Sequence, residues 1–334
     1  MPVERYWYSL NAVALLLWPL GWLFAAVVTL RRIAYRRGIC KSYQAEAPVV
    51  IVGNISVGGT GKTPLVIGLV EVLRKNGYRP GIVSRGYGGR RSQAQPCIVH
   101  ADSEPKDVGD EPVLLARRCH CPLVVSSDRV AAVRYLLAHY DCNVILSDDG
   151  LQHYALARDI EIVVVDGVRR FGNGASLPAG PLRELPGRLQ CVDFVVVNGI
   201  AKEGEFLMTL SGGFAVSLDN EHVIRDLAMF AGSVAHAVAG IGNPGRFFDD
   251  LERCGIRVLP HAFPDHHVFT DKELDFDDCL PVLMTEKDAV KCHGLAPGRY
   301  WYVPVWAELS AEFEHKFLQQ LACCMTERGL AEVR

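Results

Sequence analysis

Pro48-Val49-Val50-Ile51-Val52-Gly53-Asn54-Ile55-Ser56-Val57-Gly58-Gly59-Thr60-Gly61-Lys62-Thr63-Pro64 runs from an apolar strand through a glycine-rich turn into the opening of a helix. The strict phosphate-loop pattern G-x-x-x-x-G-K-[ST] asks for glycine where Ser56 stands, so a literal search passes over this segment. The physics survives the departure. Gly58, Gly59 and Gly61 let successive backbone N–H groups turn toward one anion. Lys62 is placed to reach β- and γ-phosphates, Thr63 offers a hydroxyl to Mg²⁺, and the following helix aims its N-terminus at the same charge. Pro64 belongs in a helix first turn, where its missing N–H is no loss. The stretch Ser56, Val57, Gly58, Gly59, Thr60, Gly61, Lys62 and Thr63 is therefore expected to cradle the phosphates of a nucleoside triphosphate. A glycine turn that merely precedes Lys-Thr is the bland alternative.

Outward from this loop the chain alternates β and α. The helix after it, Lys62–Asn76, stops at Gly77. Short Val/Ile-rich runs follow at Gly81–Ser84, Leu123–Ser126, Val144–Ser147, Ile160–Val165 and Phe194–Val197, with helical patterns at Glu111–Arg118 and Arg129–His139. Near-continuous apolar runs separated by helices indicate buried parallel strands. Arg169–Leu189, rich in Gly, Pro and Arg, reads as a long functional loop. A second, weaker α/β unit has strands near Ala235–Ala239, Val282–Thr285 and Tyr300–Val305 and helices near Pro244–Cys254 and Ala311–Glu327. The expected fold class is α/β: a phosphate-loop parallel-sheet domain at 42–200, a smaller α/β domain at 201–334 closing a cleft, and an N-terminal segment at 1–41. A chain of 334 residues is long enough for two such cores.

The N-terminal segment is apolar. Tyr6 to Leu30 holds no charged residue and is dense in Leu, Trp and Val. As a helix it would reach about 37 Å at 1.5 Å per residue, more than the roughly 30 Å of a bilayer core. Tyr6, Trp7 and Tyr8 at one end and arginines at the other suit a membrane interface. Pro19 and Gly21 allow a kinked or shallow insertion, and a buried soluble helix is the alternative. A cleaved leader fits poorly, because the positive charge follows the apolar run. Residues 1–47 carry six Lys/Arg against two Glu, a balance of +4 in a chain whose net charge is −3. A basic segment on an acidic body points to an anionic lipid surface on the cytoplasmic side. The overall charge gives no reason to expect nucleic-acid binding.

Two strands end in acid. Val144-Ile145-Leu146-Ser147-Asp148-Asp149-Gly150 has the form of a metal-holding strand beside a phosphate loop, so at least one of Asp148 and Asp149 is a candidate metal ligand. Ile160–Asp166 competes for the role. Ser84-Arg85-Gly86-Tyr87, Gly109-Asp110-Glu111-Pro112, Ser127-Asp128-Arg129, Gln152-His153 and Pro181-Leu182-Arg183-Glu184 each follow an apolar run or open a helix, where α/β sheets bind ligands. Individually they read as caps and turns; Asp110 and Asp128 would serve as N-caps. Phe263-Pro264-Asp265-His266-His267 could bind metal, move a proton or be a polar turn. Gly240-Ile241-Gly242-Asn243-Pro244-Gly245, with Asp265 further on, matches the dinucleotide fingerprint literally. The run before Asp265 contains Pro260 and makes a poor second strand. Eleven scattered cysteines, none in C-x-x-C pairs, read as reduced thiols and not as a zinc site.

Taken in order, these segments resemble the tetraacyldisaccharide 4′-kinase family, the lipid A 4′-kinases of Gram-negative bacteria. Pro178-Ala179-Gly180-Pro181-Leu182-Arg183-Glu184 and Thr285-Glu286-Lys287-Asp288 extend the likeness almost to the C-terminus, and Ser56 at the first loop position is usual in that family. The resemblance implies transfer of the ATP γ-phosphoryl group, with Mg²⁺, to the 4′-hydroxyl of an acylated disaccharide 1-phosphate, giving lipid IVA. It implies an active site between two α/β domains on the cytoplasmic face of the inner membrane, with no obligate protein partner. It assigns catalysis to Asp110 with His266, beside Lys62, and metal binding to Thr63, Asp148, Asp149 and Glu184. Arg85, Tyr87, Arg129, His153 and Arg183 are the expected substrate contacts. A membrane-associated nucleotide hydrolase without a lipid acceptor is the rival, and a dinucleotide-binding reductase a third reading.

Overall fold

The computed structural model describes residues 6–9, 11–90, 95–292 and 298–330. Glu4 and Arg5, which entered the charge balance of residues 1–47, lie outside them. The helices are α1 Ala12–Arg36, α2 Lys62–Lys75, α3 Pro105–Val108, α4 Asp110–Cys119, α5 Arg129–His139, α6 Pro244–Arg253, α7 Asp271–Leu274, α8 Glu286–Ala289 and α9 Ala311–Glu327. The strands of the first sheet are β1 Val49–Gly53, β2 Pro80–Ser84, β3 Cys97–Ile98, β4 Leu123–Val125, β5 Val144–Asp148, β6 Ile160–Asp166, β7 Phe194–Asn198, β8 Phe206–Ser211 and β15 Trp306–Leu309. A second sheet holds β9 Phe214–Ser217, β10 Ile224–Asp226, β11 Val234–Ala239, β12 Arg257–Ala262, β13 Val282–Thr285 and β14 Tyr300–Val303.

The first sheet runs β15-β8-β7-β6-β1-β5-β2-β4-β3, parallel except at its two edges. Its central strand β1 shows why the order is stable. Val50 and Val52 enter one core with Leu65, Leu69 and Leu73 of α2 and Phe313 and Phe317 of α9. Val49 and Ile51 point the other way, into a core with Ala132, Val133 and Leu136 of α5. A strand buried on both faces must be apolar at every position, as Val-Val-Ile-Val is. β5 and β6 flank β1, so both acid-ended strands finish beside the loop that β1 feeds.

The second sheet runs β10-β9-β14-β13-β11-β12. Arg257–Phe263, expected to make a poor strand, forms β12 in parallel register with β11. β12 lies at the sheet edge, where proline's missing N–H breaks no ladder, so Pro260 is tolerated. The domain division also shifts. β8, β15 and α9 fall after residue 200 yet build the first sheet and its core. The second domain is thus inserted between β8 and β15, and the chain crosses twice. Local pattern could not show this, because the antiparallel pairing of β8 with β15 joins residues about a hundred positions apart.

α1 keeps its helical path through Pro19, with Asn11 capping its start. Only Ala14 and Gly21 along it are buried, Gly21 against the backbone of Ser176. Leu16, Trp22, Leu23 and Leu30 stand at 62–80% exposure. A core helix would hide these residues, so that alternative fails. By length and composition this helix is able to cross a membrane.

Candidate active site

The phosphate loop leaves β1 and wraps into α2. Gly61 caps the helix with φ of +99°, a left-handed conformation that a side chain resists. No side chain caps this helix, whereas Asp128 caps α5 and Ser310 caps α9. The first N–H groups of α2 are therefore left for a ligand. Pro181-Leu182-Arg183-Glu184 lies along the outer edge of the loop: Val57 N donates to Pro181 O at 2.8 Å and Arg183 N to Ile55 O at 2.7 Å. Asn198, at the end of β7, donates to Thr60 O at 3.3 Å.

Two adjacent carboxylates end β5 and are pushed in opposite directions. Burial would raise the Asp149 carboxyl, but Lys62 Nζ at 3.5 Å and Arg183 Nη1 at 3.1 Å hold it well below the usual range. Asp148 is buried, and burial followed by the charges of Glu111 and Asp149 pushes its carboxyl up to about 7. Ser84 Oγ donates to its Oδ2 at 3.1 Å, while Oδ1 has no hydrogen-bond partner. Because the folded value lies above the ordinary 3.8, the folded protein holds a proton that the unfolded chain releases. Stability from this group is present below about pH 4 and is lost as the pH climbs toward 7. Asp148→Asn removes that loss. The variant without nucleotide or metal is expected to melt above the wild type at pH 8, with the gap closing toward pH 5; melting curves at both pH values check this.

Across the cleft stands a pair that no local pattern could assemble. Asp110 opens α4, with Gly109 and not Asp110 as the cap, which corrects the capping expectation. His266 Nδ1 lies 2.9 and 3.0 Å from the two Asp110 oxygens. Burial works against the Asp110 charge, but the His266 hydrogen bond, Lys287 and Lys291 bring the carboxyl down to about 2. Burial works against His266 as well, and its bond to Asp110 raises it above 6.5 overall. His266 also holds a φ of +62°, a strained conformation for a side chain of that size and one that clusters at functional sites. Tyr87 packs its ring 5.1 Å from the imidazole. His267 turns away to Glu273 at 3.1 Å, so His266 is the member of the pair that meets Asp110.

Two further ties cross the cleft beside this pair. Lys287 Nζ reaches Glu111 Oε1 at 2.8 Å, and Arg118 reaches Glu286 at 2.7 Å. Sequence reasoning gave Lys287, Lys291 and Glu111 no role. Lys287 and Glu111 stood only as members of quoted motifs and Lys291 in none, because Lys287 meets Glu111, and Lys291 meets Asp110, only across two domains.

Other expected contacts are placed elsewhere. Arg129 is 2% exposed and donates to the carbonyls of Ser126 and Asp148, bracing two strand ends instead of facing a substrate. Both Glu184 oxygens are taken, by Gln152 at 2.8 Å and Tyr154 at 2.7 Å, so metal binding there would require breaking these bonds. Burial, then Arg129, pushes His153 down to about 4, leaving a neutral ring at pH 7 that offers a phosphate no charge. Arg183 is paired with Asp149, whereas Arg85 and Tyr87 are exposed at the end of β2.

The sequence profile of the tetraacyldisaccharide-1-P 4′-kinase family matches residues 13–322. The chain belongs to this family. It is 54% identical over 323 residues to the tetraacyldisaccharide 4′-kinase of Nitrosococcus oceani, covering 96% of this chain and 94% of that one. It is 50% identical over 325 residues to the Methylobacillus flagellatus enzyme of the same name, covering 97% and 96%. Among solved structures, the LpxK protein of Aquifex aeolicus in complex with ATP superposes with a TM-score of 0.76 at 26% identity, covering 92% of this chain and 99% of that one. Family membership thus agrees with the likeness read from the motifs, and the fold agrees with a structure that holds ATP.

Proposed function

We propose that this protein transfers the γ-phosphoryl group of ATP to the 4′-hydroxyl of a tetraacyldisaccharide 1-phosphate at the cytoplasmic face of the inner membrane. The observation that carries the reading is the Asp110–His266 pair, in which His266 of the second domain lies 2.9 Å from Asp110 of the domain that bears the phosphate loop. The substrate in the family's name and the ATP held by the Aquifex aeolicus structure support it.

Asp110 would accept a hydrogen bond from the attacking hydroxyl, with His266 fixing the carboxylate's direction. A carboxyl at about 2 is a weak base. Phosphoryl transfer through a loose transition state keeps the hydroxyl proton in place until late, so orientation matters more here than basicity. Lys62 would neutralise the β- and γ-phosphates, and Arg183 would keep Asp149 ionised beside them. The donor set fits Mg²⁺. Asp148 Oδ1 is buried and unpartnered, and among the described residues no group of three or more His, Cys, Asp or Glu forms a dedicated metal cage. Magnesium takes only one or two carboxylates and completes its shell with phosphate and water, so Asp148, Asp149 and the Thr63 hydroxyl would hold it. When bound it would neutralise charge on the phosphate oxygens. Exposed Tyr87, whose ring packs 5.1 Å from the His266 imidazole, and exposed Arg85 two residues before it would meet the sugar phosphate.

The acylated part of the substrate also has a fitting place. A cleft of about 640 Å³ lies between α1 and the loop after β6, lined by Trp18, Trp22, Ala25, Leu30, Ala175 and Leu185. Deleting residues 1–30 is expected to release the protein from vesicles of anionic lipid. Continued sedimentation of the truncated protein with those vesicles would mean that another surface binds lipid. The reaction itself is tested by incubating the protein with ATP, Mg²⁺ and lipid disaccharides and weighing the products. A gain of one phosphate on the disaccharide 1-phosphate supports the proposal; free inorganic phosphate with unaltered lipid refutes it.

A further inference from the structure

Asp166, the rival acid at the end of β6, is not offered to a metal. Its Oδ1 accepts from the backbone of Val168 and Arg169 at 3.0 and 2.9 Å, and its Oδ2 from Arg169 Nε at 2.9 Å. What it does is aim Arg169. The guanidinium lies over the phosphate loop, where a methyl group on Gly58 would sit 3.7 Å from both terminal nitrogens. Arg169 Nη2 donates to Gly59 O at 2.6 Å, and Nη1 to Gly242 O at 3.0 Å in the second domain.

Gly242 belongs to the segment that mimics a dinucleotide fingerprint, and the structure gives its glycine a different use. A methyl group at Gly242 would lie 2.5 Å from Gly59 N, so only glycine lets this loop rest on the phosphate loop. The Gly59 amide is one of those a triphosphate needs, and Gly242 covers it. Loading a nucleotide must displace Gly242 and strip Nη1 of its acceptor. A phosphate oxygen is the stronger replacement, because it brings a full opposite charge where the carbonyl brings only a dipole.

The end of the triphosphate concerned follows from the topology. β11 and β12 are adjacent parallel strands with Ala239 beside Ala262, so the loops bearing Gly242 and His266 leave the same sheet edge side by side. A methyl group on Gly240 would touch Pro264 O at 3.3 Å. The loop tied to Arg169 therefore neighbours the loop that serves the phosphoryl acceptor, and the phosphate nearest an acceptor is the γ.

We propose that Arg169 changes partners when ATP binds, leaving the carbonyls of Gly59 and Gly242 for the γ-phosphate, and so reports the loaded loop to the second domain. The inference rests on the phosphotransferase reading above. Titration calorimetry on the full chain in detergent, with Mg²⁺ present, tests it by comparing ATP and ADP. Arg169→Ala is expected to weaken ATP binding at least about tenfold and ADP binding by less than about threefold, the size of one lost charge-assisted bond. Arg169→Lys keeps a charge without the two-pronged fork, and its loss for ATP is expected to fall between. Equal or greater weakening for ADP would reduce Arg169 to a structural tie, and unchanged ATP binding would also overturn the proposal. Lys62→Ala serves as the separate control: if it binds both nucleotides like the wild type, the phosphate-loop reading fails, whatever Arg169 does.

Discussion

Asp110→Ala is expected to lower turnover at least about a hundredfold, the range for removing a positioned proton acceptor, while ATP still binds. The separation of the two effects follows from the geometry. Asp110 sits on α4 and touches His266, Lys291 and its own helix backbone, not the phosphate loop. Its loss also strips His266 of the bond that raises it above 6.5, so the imidazole of the variant should titrate lower. In the wild type that tie is complete below about 6.5 and weakens as the pH rises through the raised value. Steady-state rates at saturating ATP, with calorimetry for nucleotide affinity, check the prediction. Near-wild-type turnover would remove Asp110 from its assigned role.

Lys62→Ala is expected to cost at least about a hundredfold in turnover as well, the scale seen when a preorganised charge at the reacting phosphate is removed. Here nucleotide binding falls too, for ATP and ADP alike, because Lys62 faces phosphates in the ground state. The variant also frees Asp149 from one of the two cations that hold it ionised. Protection against thermal unfolding by ATP is the direct readout: it should persist in Asp110→Ala and vanish in Lys62→Ala. Loss of protection in both would mean that the cleft closes as one unit.

The contrast between these two residues also marks how far the sequence could be read. The phosphate loop is legible because strand, glycines, lysine and helix start lie in one continuous stretch, and α2, α5 and α9 emerge within a residue of their expected ends. The Asp110–His266 bond spans 156 positions and two domains; its assignment came from likeness to a family, not from spacing. β10 escaped notice because it is three residues long and exposed, and β8 because only Met208 along it is fully buried, which leaves no run of core positions to mark a strand. Arg129 and Glu184 were read as ligand contacts because charge in a loop looks available. Whether it is available depends on burial and on partners such as Asp148 O and Tyr154, which only the folded chain supplies.

The inserted arrangement of the second domain has a consequence for how the enzyme is made. A ribosome delivers α1 first, then most of the large sheet, then all of the small sheet, and only last Trp306–Leu309 and Ala311–Glu327. Until those final elements emerge, β8 has no outer neighbour and Phe194 and Phe206 lack Phe313 and Phe317 as packing partners. The small sheet can therefore be complete before the large sheet and its core are sealed.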